Sequence, residues 1–233
     1  MLHRPPGPLP KNTPSVQPEL ARPLLRGWFH AGAAVVAVLV TLALALATWQ
    51  DPPRFASVLV FGLSMVEMYS VSAIYHTGTW QGRRRVALRA LDHANIFVLI
   101  AGTYTPICVN VFSGWPRIGI LIVIWGLAIL GVAGAVLSLR FPRWVVSGLY
   151  VGMGWVALLG LPEMLRLWPW QPIALLVAGG ALYTIGAVVY ALRRPNPLPR
   201  VLGFHEIFHL FVIAGSAAFT VIIWLWVLPF PRV

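Results

Sequence analysis

Two histidines stand four residues apart in the pentapeptide His205-Glu206-Ile207-Phe208-His209, at the start of the last apolar segment of the chain. On a helix, residues four apart differ by about 40° in direction, so two imidazoles at this spacing can bind one metal ion from one face. Ionisable side chains inside membrane helices are costly and usually have a partner or a task. The pentapeptide therefore predicts a metal site.

Further ionisable side chains stand at the ends of two other apolar segments. His76 ends the second segment, and Asp92 and His93 stand where the third is expected to begin. Because successive spans alternate in direction, all of these positions lie at the same membrane level as His205 and His209. Three neutral imidazoles leave one position open on a tetrahedral Zn²⁺ ion, which is typical of a hydrolytic site. The predicted cofactor is Zn²⁺, held by His76, His205 and His209, although copper, iron or nickel can bind the same ligands.

Three residues are candidates for catalysis at such a site. Zinc lowers the pKa of a bound water to about 7, and Asp92 is predicted to orient or deprotonate that water. Asp92 can also serve as the N-cap of the third predicted helix. Ser72 stands one turn before His76, where its hydroxyl can bond the water or a substrate carbonyl. Glu206 is the competing general base, but it points about 100° away from His205 on a helix.

The remaining intramembrane groups are weaker candidates. His30 and His93 are predicted to be interfacial anchors rather than ligands. Glu67 stands nine residues before His76, about 13 Å deeper by helical rise and nearly on the opposite side of the helix. We expect Glu67 to be structural or to belong to a polar cavity, with Asn95 as one possible partner.

The composition indicates an all-α, polytopic membrane protein. Hydrophobic residues make up 59% of the 233 residues and charged residues only 10%, which rules out a water-soluble core with a polar shell. Residues 1–26 are predicted to be a disordered, proline-rich tail, and 27–233 a single membrane domain. Seven apolar runs are each long enough to cross a bilayer. They are 28–49, 55–77, 92–112, 117–139, 144–163, 172–192 and 203–228.

The basic residues predict the orientation of this seven-helix bundle. Of the 17 basic residues, 13 fall on one side of the membrane and four on the other. By the positive-inside rule the N-terminus is cytoplasmic and the C-terminus is outside. The net charge of +11 is accounted for by this asymmetry, with no nucleic acid as a partner, and the run Arg83 to Arg85 is interpreted as a topology anchor near anionic lipid. The sequence does not predict an oligomeric state.

Three motifs together resemble those of a known family. They are Ser72-Ala73-Ile74-Tyr75-His76, the stretch from Leu91-Asp92-His93 to Thr105-Pro106, and Gly203-Phe204-His205-Glu206-Ile207-Phe208-His209. This combination is similar to the bacterial haemolysin III family, relatives of the progestin and adipoQ receptors and, more distantly, of alkaline ceramidases. The resemblance covers the chain from Arg26 to the seventh helix.

The resemblance implies a seven-helix protein of the bacterial inner (plasma) membrane with zinc near the cytoplasmic face. The family's zinc ligands carry over to His76, His205 and His209, its water-linked aspartate to Asp92, and its nearby serine to Ser72. The adiponectin-receptor relatives have Gln where this chain has Glu206, which favours Asp92 as the water-handling group.

Three functions are compatible with these residues. A zinc-dependent hydrolase acting on a lipid amide, as ceramidases do, or on a lipid ester makes best use of an open metal position facing membrane lipid. The alternatives are a non-enzymatic, metal-stabilised receptor or stress-response protein, and a pore-forming cytolysin. A retinal protein is excluded because the only lysine is Lys11 in the tail.

Overall fold

The protein forms a bundle of helices with seven membrane-crossing segments. The computed structural model describes residues 23–137 and 141–231. Within them, seven helical segments are long and apolar enough to cross a membrane, which confirms the predicted all-α, seven-span fold. The α-helices are α1 (Trp28–Thr48), α2 (Pro52–Thr77), α3 (Gly82–Asn110), α4 (Gly114–Val136), α5 (Arg143–Gly154), α6 (Leu161–Leu167), α7 (Trp170–Leu192) and α8 (Phe204–Ile222).

Two of the seven spans are not continuous α-helix. The fifth span consists of α5 and α6 joined by a 3₁₀ segment, Trp155–Gly160. The seventh span is α8 continued by a π-helical turn, Ile223–Val227. The other spans match the predicted apolar runs to within a few residues, except α3.

The start of α3 differs from the prediction by ten residues. The helix begins at Gly82 with Gln81 as its N-cap, so the interpretation of Asp92 as an N-cap is wrong. The arginine run from Arg83 to Arg85 is helical rather than a loop. Arginine is a good helix former, and its long side chain allows a membrane helix to continue beyond the apolar core. Asp92 therefore lies inside α3, where its carboxylate faces neighbouring helices instead of its own N-terminus.

Helix α2 has one side packed inside the bundle and one side facing outward. It packs between α1 and α3, and small residues allow close approach on both sides. A Cβ atom on Gly62 would overlap Thr41 of α1, and one on Gly102 of α3 would overlap Ser64. Close backbone contact at small residues is the usual way in which membrane helices associate. Helix α8 packs against α7 and contacts α1, which places the histidines of α8 near the end of α2.

The chain before α1 is packed against the loop that precedes α8. The amide of Leu24 donates to the carbonyl of Arg200 at 2.9 Å. Gly27 has a positive φ of 84°, and a Cβ atom there would come within 2.9 Å of the His76 Cβ. Residues 24–26, which were assigned to the predicted tail, therefore make backbone hydrogen bonds with described residues. Residues 1–22 lie outside the described residues, so their predicted disorder stays a prediction.

Most arginines of the described chain lie at one end of the bundle, which we call the basic end. It comprises the residues before α1, the α2–α3 connection, the start of α5 and the α7–α8 loop. Its arginines are Arg26, Arg83, Arg84, Arg85, Arg89, Arg143, Arg193, Arg194 and Arg200. The location of the basic end in the cytoplasm, which the distribution of basic residues indicates, stays a prediction.

Candidate metal centre

Three imidazoles converge at the basic end. His76 lies in the last turn of α2, and His205 and His209 lie in the first turns of α8. Their ligand atoms all lie within 4.8 Å of one another, and the Nε2 atoms of His76 and His205 are 3.0 Å apart. The structure thus brings together the three histidines that the sequence predicts as ligands.

The chemistry of this donor set fits a zinc ion. Nitrogen ligands on one tetrahedral zinc lie about 2.0 Å from the metal and so about 3.3 Å from one another, close to the observed 3.0 Å between His76 and His205. The two ring nitrogens also lie within hydrogen-bond distance of each other. His209 is 2% exposed and lies on the inner side of the cluster, where it can supply the third nitrogen.

Asp92 and Ser72 border the three histidines, as predicted. The Oδ2 atom of Asp92 lies 3.5 Å from Nε2 of His76. Its Oδ1 atom and the hydroxyl of Ser72 are both buried, and neither makes a hydrogen bond with the described residues. Buried polar atoms are rarely left without a partner. These two atoms therefore have capacity for a water molecule or a substrate oxygen beside the histidines.

Glu206, the second candidate base, is held away from the cluster. It is fully buried. Its Oε2 atom accepts a hydrogen bond from the amide of Gly203, the N-cap of α8, at 2.8 Å. Its Oε1 atom forms an ion pair with Nε of Arg26. With both oxygens engaged, Glu206 connects the segment before α1 to the start of α8. The geometry favours Asp92 over Glu206 for handling a proton.

His30 is the site residue that the sequence interpretation missed. It is fully buried, so its assignment as an interfacial anchor is wrong. Its ring stacks on His209 with centroids 3.7 Å apart and planes 11° apart, and it also contacts the ring of Tyr69 at 5.0 Å. Neither ring nitrogen has a hydrogen-bond partner among the described residues. The only sequence signal was a histidine two residues into an otherwise apolar helix, which does not reveal a contact with α8.

His93 lies at the edge of the site. Its Nδ1 atom is 2.7 Å from the carbonyl of Arg89 in the preceding turn of α3. This local contact orients the ring along its own helix, and His93 does not belong to the converging histidine cluster.

A polar network lies deeper in the bundle, below His30. The hydroxyl of Tyr69 donates to Ser216 at 2.6 Å, and Ser216 is 2.8 Å from the hydroxyl of Tyr183. These contacts join α2, α8 and α7. Because every hydroxyl in this group has a partner, the network stabilises the packing behind the histidines.

A cavity of about 350 Å³ opens onto the histidines. Its polar end includes Ser72, His76, Asp92, His205 and His209, with Arg26, Arg89 and Arg143 around the same end. Its inner part is lined by apolar side chains such as Ile96, Leu99, Val151, Val212 and Phe219. From His205 to Phe219 the lining follows α8 for about 21 Å, more than the roughly 15 Å depth of one bilayer leaflet.

Tyr104 of α3 lies at the inner part of this cavity. It lines both this cavity and a second, apolar cavity of about 70 Å³ beyond it. Its hydroxyl donates to the carbonyl of Gly154 at 2.5 Å and accepts from the amide of Ala157 at 2.7 Å. The phenol thus satisfies main-chain groups at the interruption of the fifth span.

The comparisons with known proteins identify the family of the chain. The sequence model for the family described as Haemolysin-III related matches residues 19–220, which is most of the chain. The chain belongs to the haemolysin-III-related family. The histidine cluster, Asp92 and Ser72 of this haemolysin-III-related protein all lie within the matched residues.

Curated relatives come from bacteria and plants. The chain is 29% identical over 183 residues to a "Hemolysin-3 homolog" of Bacillus subtilis, covering 78% of this chain and 83% of the relative. It is 32% identical over 171 residues to "Hemolysin-3" of Bacillus cereus, covering 73% and 74%. A "Heptahelical transmembrane protein 5" of Arabidopsis thaliana is 34% identical over 143 residues, covering 54% and 38%. The chain is thus a multi-pass membrane protein with bacterial homologues.

Proposed function

We propose that this haemolysin-III-related protein is a zinc-dependent hydrolase that cleaves an amide or ester bond of a membrane lipid. The observation that carries the proposal is the opening of the three-histidine cluster into an apolar cavity of about 350 Å³. A structural metal site uses all of its positions for protein ligands. Here three imidazoles, a free carboxylate oxygen and a free hydroxyl face a space of the size that small-molecule ligands occupy.

His76, His205 and His209 would hold the zinc ion. When bound, zinc supplies a Lewis acid that polarises a carbonyl group and makes water acidic enough to act as a nucleophile near neutral pH. The protein contributes the placement of the three ligands on two helices and the burial of the site.

Asp92 is positioned to move the proton that hydrolysis requires. Its Oδ1 atom has no partner among the described residues, and its Oδ2 atom contacts His76. In hydrolysis of an amide, a base takes a proton from the attacking water and returns it to the leaving nitrogen. The free oxygen of Asp92 can do both from one position.

Ser72 is positioned to orient the scissile carbonyl group. Its hydroxyl is buried one helical turn from His76 and lies beside the carboxyl group of Asp92. A fixed donor aimed at the oxygen that gains charge is a common way to stabilise hydrolytic transition states.

The cavity indicates a substrate with a long apolar portion. Its inner part is apolar and extends deeper than one leaflet, as described above, whereas arginines surround its polar end. A lipid with its acyl chain in the inner part would present its amide or ester bond to Asp92 and Ser72. The receptor and cytolysin alternatives have no observation in the described structure that favours them.

Two aspects of location belong to this proposal. The bacterial relatives and the seven spans support a bacterial inner (plasma) membrane. The arginine distribution supports a cytoplasmic position for the basic end, so the cavity would receive lipid from the inner leaflet.

Hydrolysis by purified, zinc-loaded protein tests the proposal. A panel of lipid amides and esters is incubated with wild type, Asp92→Asn, Ser72→Ala and, as a control, Glu163→Gln. Glu163 lies on α6, with Arg166 as its ion-pair partner, and does not line the cavity. We expect fatty-acid release by wild type and Glu163→Gln, and a fall in kcat of at least about 100-fold in Asp92→Asn. If folded, zinc-loaded wild type cleaves no lipid in the panel, the proposal is wrong.

A further inference from the structure

Glu67 occupies the outward-facing side of α2. It is exposed, as are Leu63 and Ile74 along the same side, which are 56% and 47% exposed. Nine helical residues separate Glu67 from His76, so the two side chains point to nearly opposite sides of α2. Glu67 does not line the cavity at the metal centre. The carboxyl group therefore faces the surroundings of the bundle rather than its interior.

The packing of α2 places Glu67 far from both membrane surfaces. Counting along the helix, it lies about 22 Å from Pro52 and about 15 Å from Thr77. About one turn away, Gly62 packs against Thr41 in the middle of α1, and Ser64 packs against Gly102 well inside α3. The hydrocarbon core of a bilayer is about 30 Å thick. Glu67 thus lies near mid-depth, where its side chain is too short to reach a headgroup.

No described residue forms a hydrogen bond or ion pair with Glu67. The expected partner, Asn95, lies inside the bundle, where its Nδ2 atom is buried without a hydrogen bond among the described residues. All described basic residues lie near the ends of helices, away from this depth. A carboxyl group surrounded by hydrocarbon is strongly disfavoured unless it finds a hydrogen-bonding partner. Such a partner must come from outside the described residues.

We propose that the outward side of α2, with Leu63, Glu67 and Ile74, is a dimer interface in which Glu67 pairs with Glu67 of a second copy. A bare charge in hydrocarbon is far more costly than a neutral, hydrogen-bonded group. A neutral carboxyl group is both donor and acceptor, so two of them can form a closed pair of hydrogen bonds.

The geometry of two copies in one membrane favours this partner over another protein. Copies inserted with the same orientation carry Glu67 at the same depth. A two-fold axis parallel to the membrane normal brings one surface patch against the same patch of the second copy. A single residue that can pair with its own copy is therefore enough to form the polar contact. Leu63 and Ile74, about one and two turns from Glu67 along the helix, supply apolar contact around the pair. Both metal centres then remain on the inner sides of their own bundles.

Cross-linking within the membrane tests the orientation of the interface. On a Cys108→Ala background, Leu63→Cys introduces a thiol on the outward side of α2 while retaining Glu67. Leu39→Cys is the matched control, because Leu39 is 62% exposed on α1 at a similar depth. In vesicles of phosphatidylethanolamine and phosphatidylglycerol, we expect oxidation to give a disulfide-linked dimer for Leu63→Cys and not for Leu39→Cys. Cross-linking that is equal at both positions, or confined to Leu39→Cys, overturns the proposal.

Association measured by energy transfer between labelled copies tests the role of the carboxyl group. Dilution with lipid should give a dissociation constant at least about tenfold higher for Glu67→Leu than for wild type, equivalent to about 1.4 kcal/mol. Glu67→Gln should remain close to wild type, because a side-chain amide is also both donor and acceptor. A monomeric wild type, a Glu67→Leu variant that associates as tightly as wild type, or a Glu67→Gln variant as weak as Glu67→Leu would each contradict the Glu67 pair. Metal content confirms that each variant is folded.

Discussion

The inward and outward sides of α2 handle their ionisable groups differently. On the inward side, His76 meets two histidines of α8 and the carboxylate of Asp92. On the outward side, Glu67 has no partner within the described chain and neighbours only apolar or small side chains on its own helix face. Both groups are costly in a membrane. On the inward side the ionisable groups pair with one another inside the bundle. On the outward side Glu67 requires a partner from outside the bundle.

Replacing a ligand on the inward side should have the largest effect. We expect His209→Ala to lose zinc, with an affinity at least about 100-fold lower than wild type, because two imidazoles remain where three converged. Metal content by mass spectrometry on detergent-purified protein measures this. His93→Ala is the matched control, since His93 bonds its own helix and should keep one zinc per chain. Equal zinc in both variants would show that the histidine cluster is not the metal site.

Removing Arg26 should destabilise the fold at the same end of the bundle. Arg26→Ala leaves the fully buried Glu206 without its ion-pair partner, and breaking a buried pair costs about 3 kcal/mol. We expect a clear fall in the unfolding temperature in detergent. The double variant Arg26→Met, Glu206→Met should recover most of that loss, because no unpaired charge remains. A double variant as unstable as Arg26→Ala would show that the loss of stability does not come from an unpaired Glu206 carboxylate.

Replacing His30 should weaken metal binding without removing it. His30 stacks on His209, and residues that orient a metal ligand typically contribute about 10-fold to 100-fold in metal affinity. We expect that range of loss for His30→Ala, measured by competition with a chelator. His30→Phe keeps a flat ring against His209 and should lie closer to wild type. The visible spectrum of cobalt-substituted protein reports the ligand geometry directly, and an unchanged spectrum and affinity in His30→Ala would count against the orienting role.

Replacing Glu67 should have the smallest effect on the metal centre. Because Glu67 points away from His76 and does not line the cavity, we expect Glu67→Leu to retain one zinc per chain and wild-type zinc affinity. A loss of zinc in this variant would mean that the inward and outward sides of α2 do not act independently.

The sequence predicted the features that depend on local patterns. Apolar runs of about 20 residues have one stable arrangement in a bilayer, so the seven spans were predicted and are confirmed by the structure. The spacing of His205 and His209 is likewise a local property of a helix. His76 could be added because alternating spans fix the level of each helix end.

Features that depend on helix rotation and on contacts between distant segments could not be predicted. The stacking of His30 on His209 requires knowing which sides of α1 and α8 face each other. The pairing of Glu206 with Arg26 depends on the path of the chain before α1. The start of α3 was missed for another reason, since its first ten residues are helical but carry the arginines that mark a loop in an apolarity-based prediction.

The phenol of Tyr104 lies at the inner part of the cavity beside the three histidines. It stands between the larger cavity and the smaller one beyond it, and it satisfies the Gly154 carbonyl and the Ala157 amide where the fifth span is interrupted. An acyl chain long enough to push the phenol aside would leave two main-chain groups bare in hydrocarbon, which is strongly disfavoured. If the cavity holds an acyl chain, as proposed, Tyr104 would limit its length through backbone hydrogen bonding rather than through the bulk of a side chain.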